Sequence, residues 1–212
     1  MIWLGRRTAY LGRYREAIEI FSKGIERFPR EPRLFRHRGH RYITIRRFDA
    51  AIADLETAAR LIEGKPDEVE PDGLPNARNI PTSTLGSNVW YHLGLALYLT
   101  GNFDPALAAY RECEKLSKNP DMLVAVSHWL YMTLRRLNRG AEAAGVLTPI
   151  SRDMDIIENQ SYHRLLLLYK GELTPDDLLK REGASDLDLV SMGYGVANWH
   201  LYNGRRAEAE AV

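Results

Sequence analysis

The stretch Trp90–Tyr110, WYHLGLALYLTGNFDPALAAY, decides how this chain folds. Its first half carries apolar residues at helical spacing, its centre holds Gly101-Asn102, and its second half opens with Asp104-Pro105, a helix cap followed by a first-turn proline. The stretch therefore predicts two helices joined by a tight turn in which the glycine takes a left-handed conformation.

The same helix–turn–helix pattern recurs along the chain at one period. Gly5 and Gly39 are 34 positions apart, and so are Ala17 and Ala51. Small residues at these places let the two helices of a hairpin approach closely, while large residues such as Tyr110 fill the space beside them. Two markers at one spacing indicate stacked repeats that share a continuous core.

The spacing Trp90-x2-Leu93-Gly94, followed by Ala106-x3-Tyr110, resembles the tetratricopeptide repeat (TPR). The resemblance implies an all-α fold, an α-solenoid wound as a right-handed superhelix of about five to six TPR-like repeats. A long loop is inserted after repeat two. We expect a single domain, 1–212, made of repeats 1–31, 32–65, 87–120, 124–157, 158–186 (degenerate) and 187–212 (incomplete), with the inserted loop at 66–86.

The last stretch of the chain, RAEAEAV at 206–212, contains no large packing residue, and no polar capping helix follows it. Solenoids need such a helix to cover their final apolar face. The pattern therefore predicts that the chain is a piece of a longer protein.

The sequence carries no sign of catalysis. It contains no nucleophile elbow, phosphate-binding glycine loop, HExxH motif or Cys-x2-Cys pair, so we expect a protein that is not an enzyme and holds no cofactor or metal. His37 and His40 are close enough to share a helix face, but two ligands are too few for a transition-metal site, and we interpret them as exposed polar residues. The lone cysteine, Cys113, falls at a predicted packing position, where a buried thiol is inert.

Bulk charge and hydropathy give little guidance on location. The formal net charge of +1 draws the chain toward neither nucleic acid nor a membrane surface. No run of 18 apolar residues is present, so no membrane span is predicted. A single cysteine fits a reducing compartment, which favours the cytoplasm without excluding export. The sequence does not indicate an oligomeric state.

The TPR resemblance also implies a set of ligand-binding residues. In TPR proteins the first helices of the repeats line a concave groove, and ligand contacts come from positions around the Trp, Gly and Tyr slots. Carried over to this chain, these positions are Arg6, Arg33, Arg36, His40, Asn88, Tyr91, Tyr98, His128, Met132 and Arg135. The carboxylate-clamp pattern of one TPR subclass is not reproduced, because Arg6 and His40 stand where asparagines would be expected.

A charge asymmetry links the groove to the inserted loop. Seven arginines and a single acid, Glu31, lie between Arg30 and Arg47. The loop that follows carries four acids, Asp67, Glu68, Glu70 and Asp72. Because arginine bonds carboxylates in a bidentate fashion, we hypothesise that the loop folds back over the first helix of repeat two and competes with an acidic ligand. The alternative is two solvated faces, whose ion pairs contribute about 0–1 kcal/mol.

Three functions are compatible with these observations. The leading one is a scaffold that binds an acidic peptide or protein segment in the groove and is gated by the acidic loop. The second is an accessory or regulatory TPR region of a larger enzyme or envelope complex. The third is binding of single-stranded RNA through arginines and aromatic rings. Basic residues confined to one repeat fall short of the broad patch that RNA needs, so nucleic acid is not the expected partner.

Charge reversal tests the fold-back hypothesis. Arg33→Glu/Arg36→Glu alone, or Glu68→Arg/Glu70→Arg alone, should lower the hydrogen-exchange protection of the loop, because each places like charges together. The combined variant should restore protection. Equal protection in all three variants and the wild type would contradict the hypothesis.

Overall fold

The computed structural model describes residues 1–71, 75–180 and 185–212. Within these residues the fold is all-α, as predicted, and the only strand-like feature is an isolated antiparallel bridge between Val69 and Thr84. The helices fall into two compact units, Met1–Ser117 and Lys118–Val212.

The first unit consists of three helical hairpins. Consecutive helices pack against each other, the fifth helix also contacts the third, and the third contacts the first. The described helices of this unit are α1 (Ile2–Tyr10), α2 (Tyr14–Arg27), α3 (Pro32–Thr44), α4 (Phe48–Ile62), α5 (Leu85–Leu99) and α6 (Phe103–Leu116).

Each hairpin of the first unit turns through one residue in the left-handed region. Gly12 (φ 77°) and Gly101 (φ 78°) take this position in the first and third hairpins, as their sequences predict. In the second hairpin Arg46 takes it at φ 60°, although a side chain disfavours that conformation. The turn geometry is therefore kept even where no glycine is present.

Small residues sit where the two helices of a hairpin cross. A Cβ atom added to Gly94 on α5 would lie 2.6 Å from the ring of Tyr110 on α6, which is fully buried. A Cβ added to Gly39 on α3 would lie 2.8 Å from Leu55 on α4. Real Cβ atoms do not approach so closely, so these crossings admit only glycine unless the facing side chain moves.

The insert connects α4 to α5 and spans 63–84, three residues earlier at its start than the predicted 66–86 and two earlier at its end. Its first part runs along the start of α5. The N–H of Glu70 donates to the carbonyl of Ser83 (3.1 Å), and the N–H of Leu85 donates to the carbonyl of Glu68 (2.8 Å). The carboxylate of Asp67 accepts from the N–H of Gly86 (2.8 Å), which is a free donor in the first turn of α5.

The second unit continues the hairpin pattern with shorter and less regular helices. Its first helix begins at Pro120, four residues before the predicted repeat boundary at 124, because Asn119 caps it and proline suits the first turn. The described helices of this unit are α7 (Pro120–Arg136), α8 (Gly140–Val146), α9 (Gln160–Tyr169), α10 (Pro175–Leu178), α11 (Asp186–Tyr202) and α12 (Arg206–Ala211).

The region of the degenerate fifth repeat contains a hairpin with a very short second helix. Gly171 turns the chain at φ 78°. Thr174 and Asp177 then form a reciprocal capping box around Pro175. Helix α9 supplies a run of buried leucines, Leu165 to Leu168, and packs on α7 and α11.

Replacing Gly94 by alanine should lower the midpoint of urea unfolding followed by circular dichroism, since the new methyl group collides with the Tyr110 ring. We expect a loss of about 1–3 kcal/mol. Gly145→Ala in α8 is the matched control, because no heavy atom lies within 4 Å of its added Cβ and alanine favours helix. An unchanged midpoint for Gly94→Ala would contradict the close crossing.

Candidate functional site

The acidic start of the insert lies on helix α3. The carboxylate of Glu68 pairs with the guanidinium of Arg33, which also contacts Glu31 at 3.1 Å. One oxygen of Glu70 lies 3.2 Å from Nε of Arg36, and the other lies 2.9 Å from Nε2 of His37. The acids of the insert thus meet arginines of the first helix of repeat two. Competition with a ligand stays a prediction.

Glu70 is the centre of this arrangement and is only 4% exposed. Asn88 on α5 donates from Nδ2 to Oε2 of Glu70 (2.8 Å). From α1, Arg6 donates to the carbonyl of the next residue, Pro71 (2.9 Å). Side chains from three different helices, α1, α3 and α5, therefore hold one short acidic segment. We call Glu70 together with Arg6, Arg36, His37 and Asn88 the Glu70 site.

The groups around the Glu70 carboxylate differ in whether they make a hydrogen bond to it. The Asn88 amide makes a hydrogen bond to Glu70 of normal length, whereas Arg36 Nε and His37 Nε2 lie at ion-pair distance without hydrogen-bond angles. The guanidinium of Arg36 donates instead to Nδ1 of His37 (2.8 Å). Arginine can only donate, so His37 accepts at Nδ1 and carries its proton on Nε2, facing the carboxylate.

Burial and the arginines fix the charge state of the site. Burial opposes the charged carboxylate of Glu70, but the attraction of Arg36 and the nearby N–H of His37 outweigh it and lower the pKa of Glu70 to about 2. Burial and then repulsion from Arg36 lower the pKa of His37 to about 4 and that of His92 to about 3. At neutral pH the ionised carboxylate of Glu70 therefore faces charged arginines, and the imidazoles of His37 and His92 are neutral.

A pair of histidines lies beside this site. The ring centroids of His40 and His92 are 4.2 Å apart. Nδ1 of His92 donates to the carbonyl of Asn88 (2.6 Å). Burial, followed by the proximity of His92, lowers the pKa of His40 well below its usual value.

The structure corrects the interpretation of His37 and His40 as exposed residues. His37 is buried, since the insert covers it, and His40 is half-buried.

The arginines of helix α3 point to different faces of that helix. Arg38 points to α4 and bonds Asp54 through Nε (2.7 Å) and a terminal nitrogen (2.8 Å), so it does not meet the insert.

The predicted groove residues of the first unit divide into two groups. Arg6, Arg33, Arg36 and Asn88 come together around the insert, with His40 beside them. The two tyrosines lie elsewhere on α5: Tyr91 is half-buried with its ring 6.3 Å from that of Tyr110, and Tyr98 is 5% exposed against Phe103. Of the predicted loop acids, Asp67, Glu68 and Glu70 make the contacts above, and Asp72 lies outside the described residues.

The predicted groove residues of the second unit do not line an open surface. The ring of His128 stacks on Tyr162 from α9 at 4.8 Å, and burial lowers its pKa to about 3. Met132 has no exposed side-chain surface, because α7 packs on α9 and α11. Arg135 donates to the carbonyl of Tyr202 (2.8 Å) at the end of α11. In this unit α9 and α11 fill the space where a groove was expected.

A separate cleft of about 1070 Å³ lies in the first unit, between α4 and α6. Its lining includes Trp90 and Leu93 from α5, with Ile62 and Leu116 from the two walls. Charged side chains of both signs surround it. Nothing in the sequence predicts this cleft, because its walls come from second helices, whereas the expected groove is built from first helices.

Other chemistry is limited in the part of the chain that is described. No three His, Cys, Asp or Glu residues there are placed to hold a metal ion. Burial raises the pKa of the Cys113 thiol to about 12, so it is not a nucleophile at neutral pH. None of the described helices has the length and apolar content needed to cross a membrane.

These features define the class of the protein. Paired helices that cross at small residues, turn through a left-handed residue and recur at one spacing form an all-α helical repeat fold. Residues 87–120 match the tetratricopeptide repeat family. The resemblance seen in the sequence is thus confirmed for the repeat at 87–120.

Solved structures support the fold. The structure of a Podosopora anserina putative kinesin light chain with nearly identical TPR-like repeats is 15% identical and has a TM-score of 0.56 over 98% of this chain and 87% of its own. YrrB, described as a TPR protein with an unusual peptide-binding site, is 14% identical with a TM-score of 0.53 over 98% of this chain and 89% of its own. No curated protein matches the chain in sequence.

Acid should destabilise the protein in two stages. The unfolded chain takes up protons on histidine near pH 6.5, whereas buried His37 and His92 resist protonation until about pH 4 and 3. The free energy of unfolding should therefore be constant between about pH 7 and 8 and fall as the pH drops below 6.5. Each such histidine contributes about 1.4 kcal/mol per pH unit. Below pH 4.5 Glu70 adds to the fall, because its folded pKa is about 2.

Urea unfolding at pH 7.5, 6.0 and 5.0 measures this slope, and His92→Gln should reduce it by the contribution of one histidine. A His92 imidazole that titrates near pH 6.5 in the folded protein, observed by NMR, would refute the assignment.

Proposed function

We propose that the protein is a non-catalytic scaffold that binds an acidic segment of a peptide or protein at the Glu70 site. In the free protein the insert occupies this site and competes with the ligand. The observation that carries the proposal is the buried carboxylate of Glu70, held by Arg36 and His37 from one repeat and by Asn88 from the next.

The insert indicates what a ligand needs in order to bind there. Residues 67–70 run in an extended conformation and exchange two backbone hydrogen bonds with 83–85. Glu70 then places its carboxylate among the cations. Hydrogen bonds to a charged group contribute about 1.5–3 kcal/mol each, more than neutral ones. An extended segment with a glutamate at the matching place supplies the same contacts.

The insert is held most weakly at Glu68 and Val69, where its displacement can begin. One isolated bridge joins Val69 to Thr84, and the side chain of Glu68 is 61% exposed. Exposed ion pairs of this kind contribute about 0–1 kcal/mol. A tethered segment nevertheless acts at an effective concentration of about millimolar, so it weakens any ligand that uses the same site.

An acidic segment fits this surface better than RNA does. Arg38 is already committed to Asp54, and Arg33 and Arg36 face carboxylates of the insert. The site thus offers a small group of cations and hydrogen-bond donors for carboxylates and, in the part of the chain that is described, no continuous basic strip for a phosphate backbone. The accessory-region alternative uses the same site, since a TPR segment of a larger enzyme or complex would hold its partner in the same way.

A peptide copied from the insert tests the proposal. A fluorescein-labelled KPDEVEP peptide (the sequence of 65–71) is titrated with wild type and with Glu68→Gln/Glu70→Gln, and binding is followed by fluorescence polarisation. We expect the double variant to bind at least about tenfold more tightly than wild type, because its own insert no longer competes. Adding Arg36→Gln to the double variant should abolish that binding.

Two controls make the result specific. Glu16→Gln/Glu19→Gln removes two exposed acids from α2 and should behave as wild type. A KPDQVQP peptide should bind to neither protein. A folded double variant that fails to bind KPDEVEP would refute the proposal.

A further inference from the structure

The Glu70 site contains more positive than negative charge. Among the described residues, two guanidinium groups, those of Arg6 and Arg36, act on the carboxylate of Glu70, and a third, that of Arg41, lies close enough to Arg36 to repel it. Glu70 is engaged by Arg36, and Arg6 donates to a backbone carbonyl, which carries no net charge. One carboxylate therefore leaves most of the positive charge uncompensated.

Arg41 is the cation with the least compensation. It is half-buried on α3, and its guanidinium lies over the ring of Tyr14 at 5.7 Å. No carboxylate in the described part of the chain pairs with it. Burial, followed by repulsion from Arg36, lowers its pKa. A guanidinium stays charged in proteins, so this arrangement carries an electrostatic cost that a nearby anion would remove.

The other groups that face Arg41 do not supply that anion. They are Tyr10 from α1, Tyr14 from α2 and Arg36 from α3, with His40 and His92 as neutral imidazoles at its side. The phenols and the imidazole of His40 can donate hydrogen bonds to an anion, whereas neutral His92 already donates its one ring proton to Asn88. The surroundings of Arg41 thus combine a fixed cation with neutral donors.

We propose that Arg41, together with Arg36 and His40, forms a second anion subsite beside the position of Glu70. It accepts a further negatively charged group of the ligand, either a phosphate or a second carboxylate. The inference rests on the proposed function, since the ligand brings this group into the same site. The planar guanidinium fork suits both kinds of oxyanion. A ligand with two adjacent anionic groups would then be preferred over one with a single glutamate.

Inorganic phosphate and malonate probe the subsite directly in the wild-type protein, where Glu70 remains in place. Each anion is titrated at constant ionic strength while the imidazole NMR signals of His40 and His92 are followed. We expect saturable shifts in both, weakened at least about tenfold by Arg41→Gln, which is about 1.4 kcal/mol, and largely kept by Arg41→Lys. Arg15→Gln, which removes an exposed arginine from α2, is the control and should leave the titration unchanged. Circular dichroism verifies that the variants fold.

Peptides then distinguish the source of the anion. In the Glu68→Gln/Glu70→Gln background, KPDEVEP extended by phosphoserine, aspartate or serine is compared by fluorescence polarisation. We expect phosphoserine or aspartate to bind at least about tenfold more tightly than serine, and Arg41→Gln to remove that gain. Whichever of the two gains more identifies the second group as phosphate or carboxylate.

The two proposals fail in different ways. Arg41-dependent binding of phosphate or malonate without binding of any peptide would support the subsite and refute the peptide scaffold. Peptide binding with no response to either free anion, and no gain from a second acidic group, would overturn the subsite and leave the scaffold intact.

Discussion

Within each well-formed hairpin of the first unit, two helices cross so closely that one added carbon atom would collide with the partner. Gly94 against Tyr110 and Gly39 against Leu55 show this constraint. A close crossing fixes how far each helix can slide along its partner. The helix positions in turn determine which side chains reach the face where α1, α3 and α5 lie side by side. The positions of Arg6, Arg36 and Asn88 around one carboxylate follow from that packing.

The same face shows how a charged group is accommodated inside a small helical protein. A buried carboxylate is unfavourable by itself, and a buried arginine without a partner is equally so. Glu70 and Arg36 relieve each other, and the histidines between them stay neutral because protonation would add further positive charge. The pKa values of His37, His40, His92 and His128 lie well below neutral pH, so these four histidines are not sensors of neutral pH.

The sequence predicts the fold well because repeats leave local signals. Glycine at the crossing, glycine or asparagine in the turn and a proline in the first turn each act within a few residues. The approach of the insert to α3 was also suggested by charge, since opposite charges attract whatever the loop geometry. What sequence could not supply is burial. His37 looked exposed because nothing local shows that the insert covers it, and Met132 looked accessible because the packing of α9 on α7 depends on contacts between distant segments.

The acidic segment of the insert borders two surfaces at once. Asp67 and Glu68 line the apolar cleft between α4 and α6, while Glu70, two residues further on, enters the site on the first helices. Asp67 also bonds the first turn of α5, whose side chains form the floor of that cleft. A ligand that binds one surface and shifts this segment changes the binding free energy of a ligand at the other surface. Thermodynamic linkage makes this effect equal in both directions. The two surfaces of the first unit thus share one short segment, through which binding at one would be coupled to binding at the other.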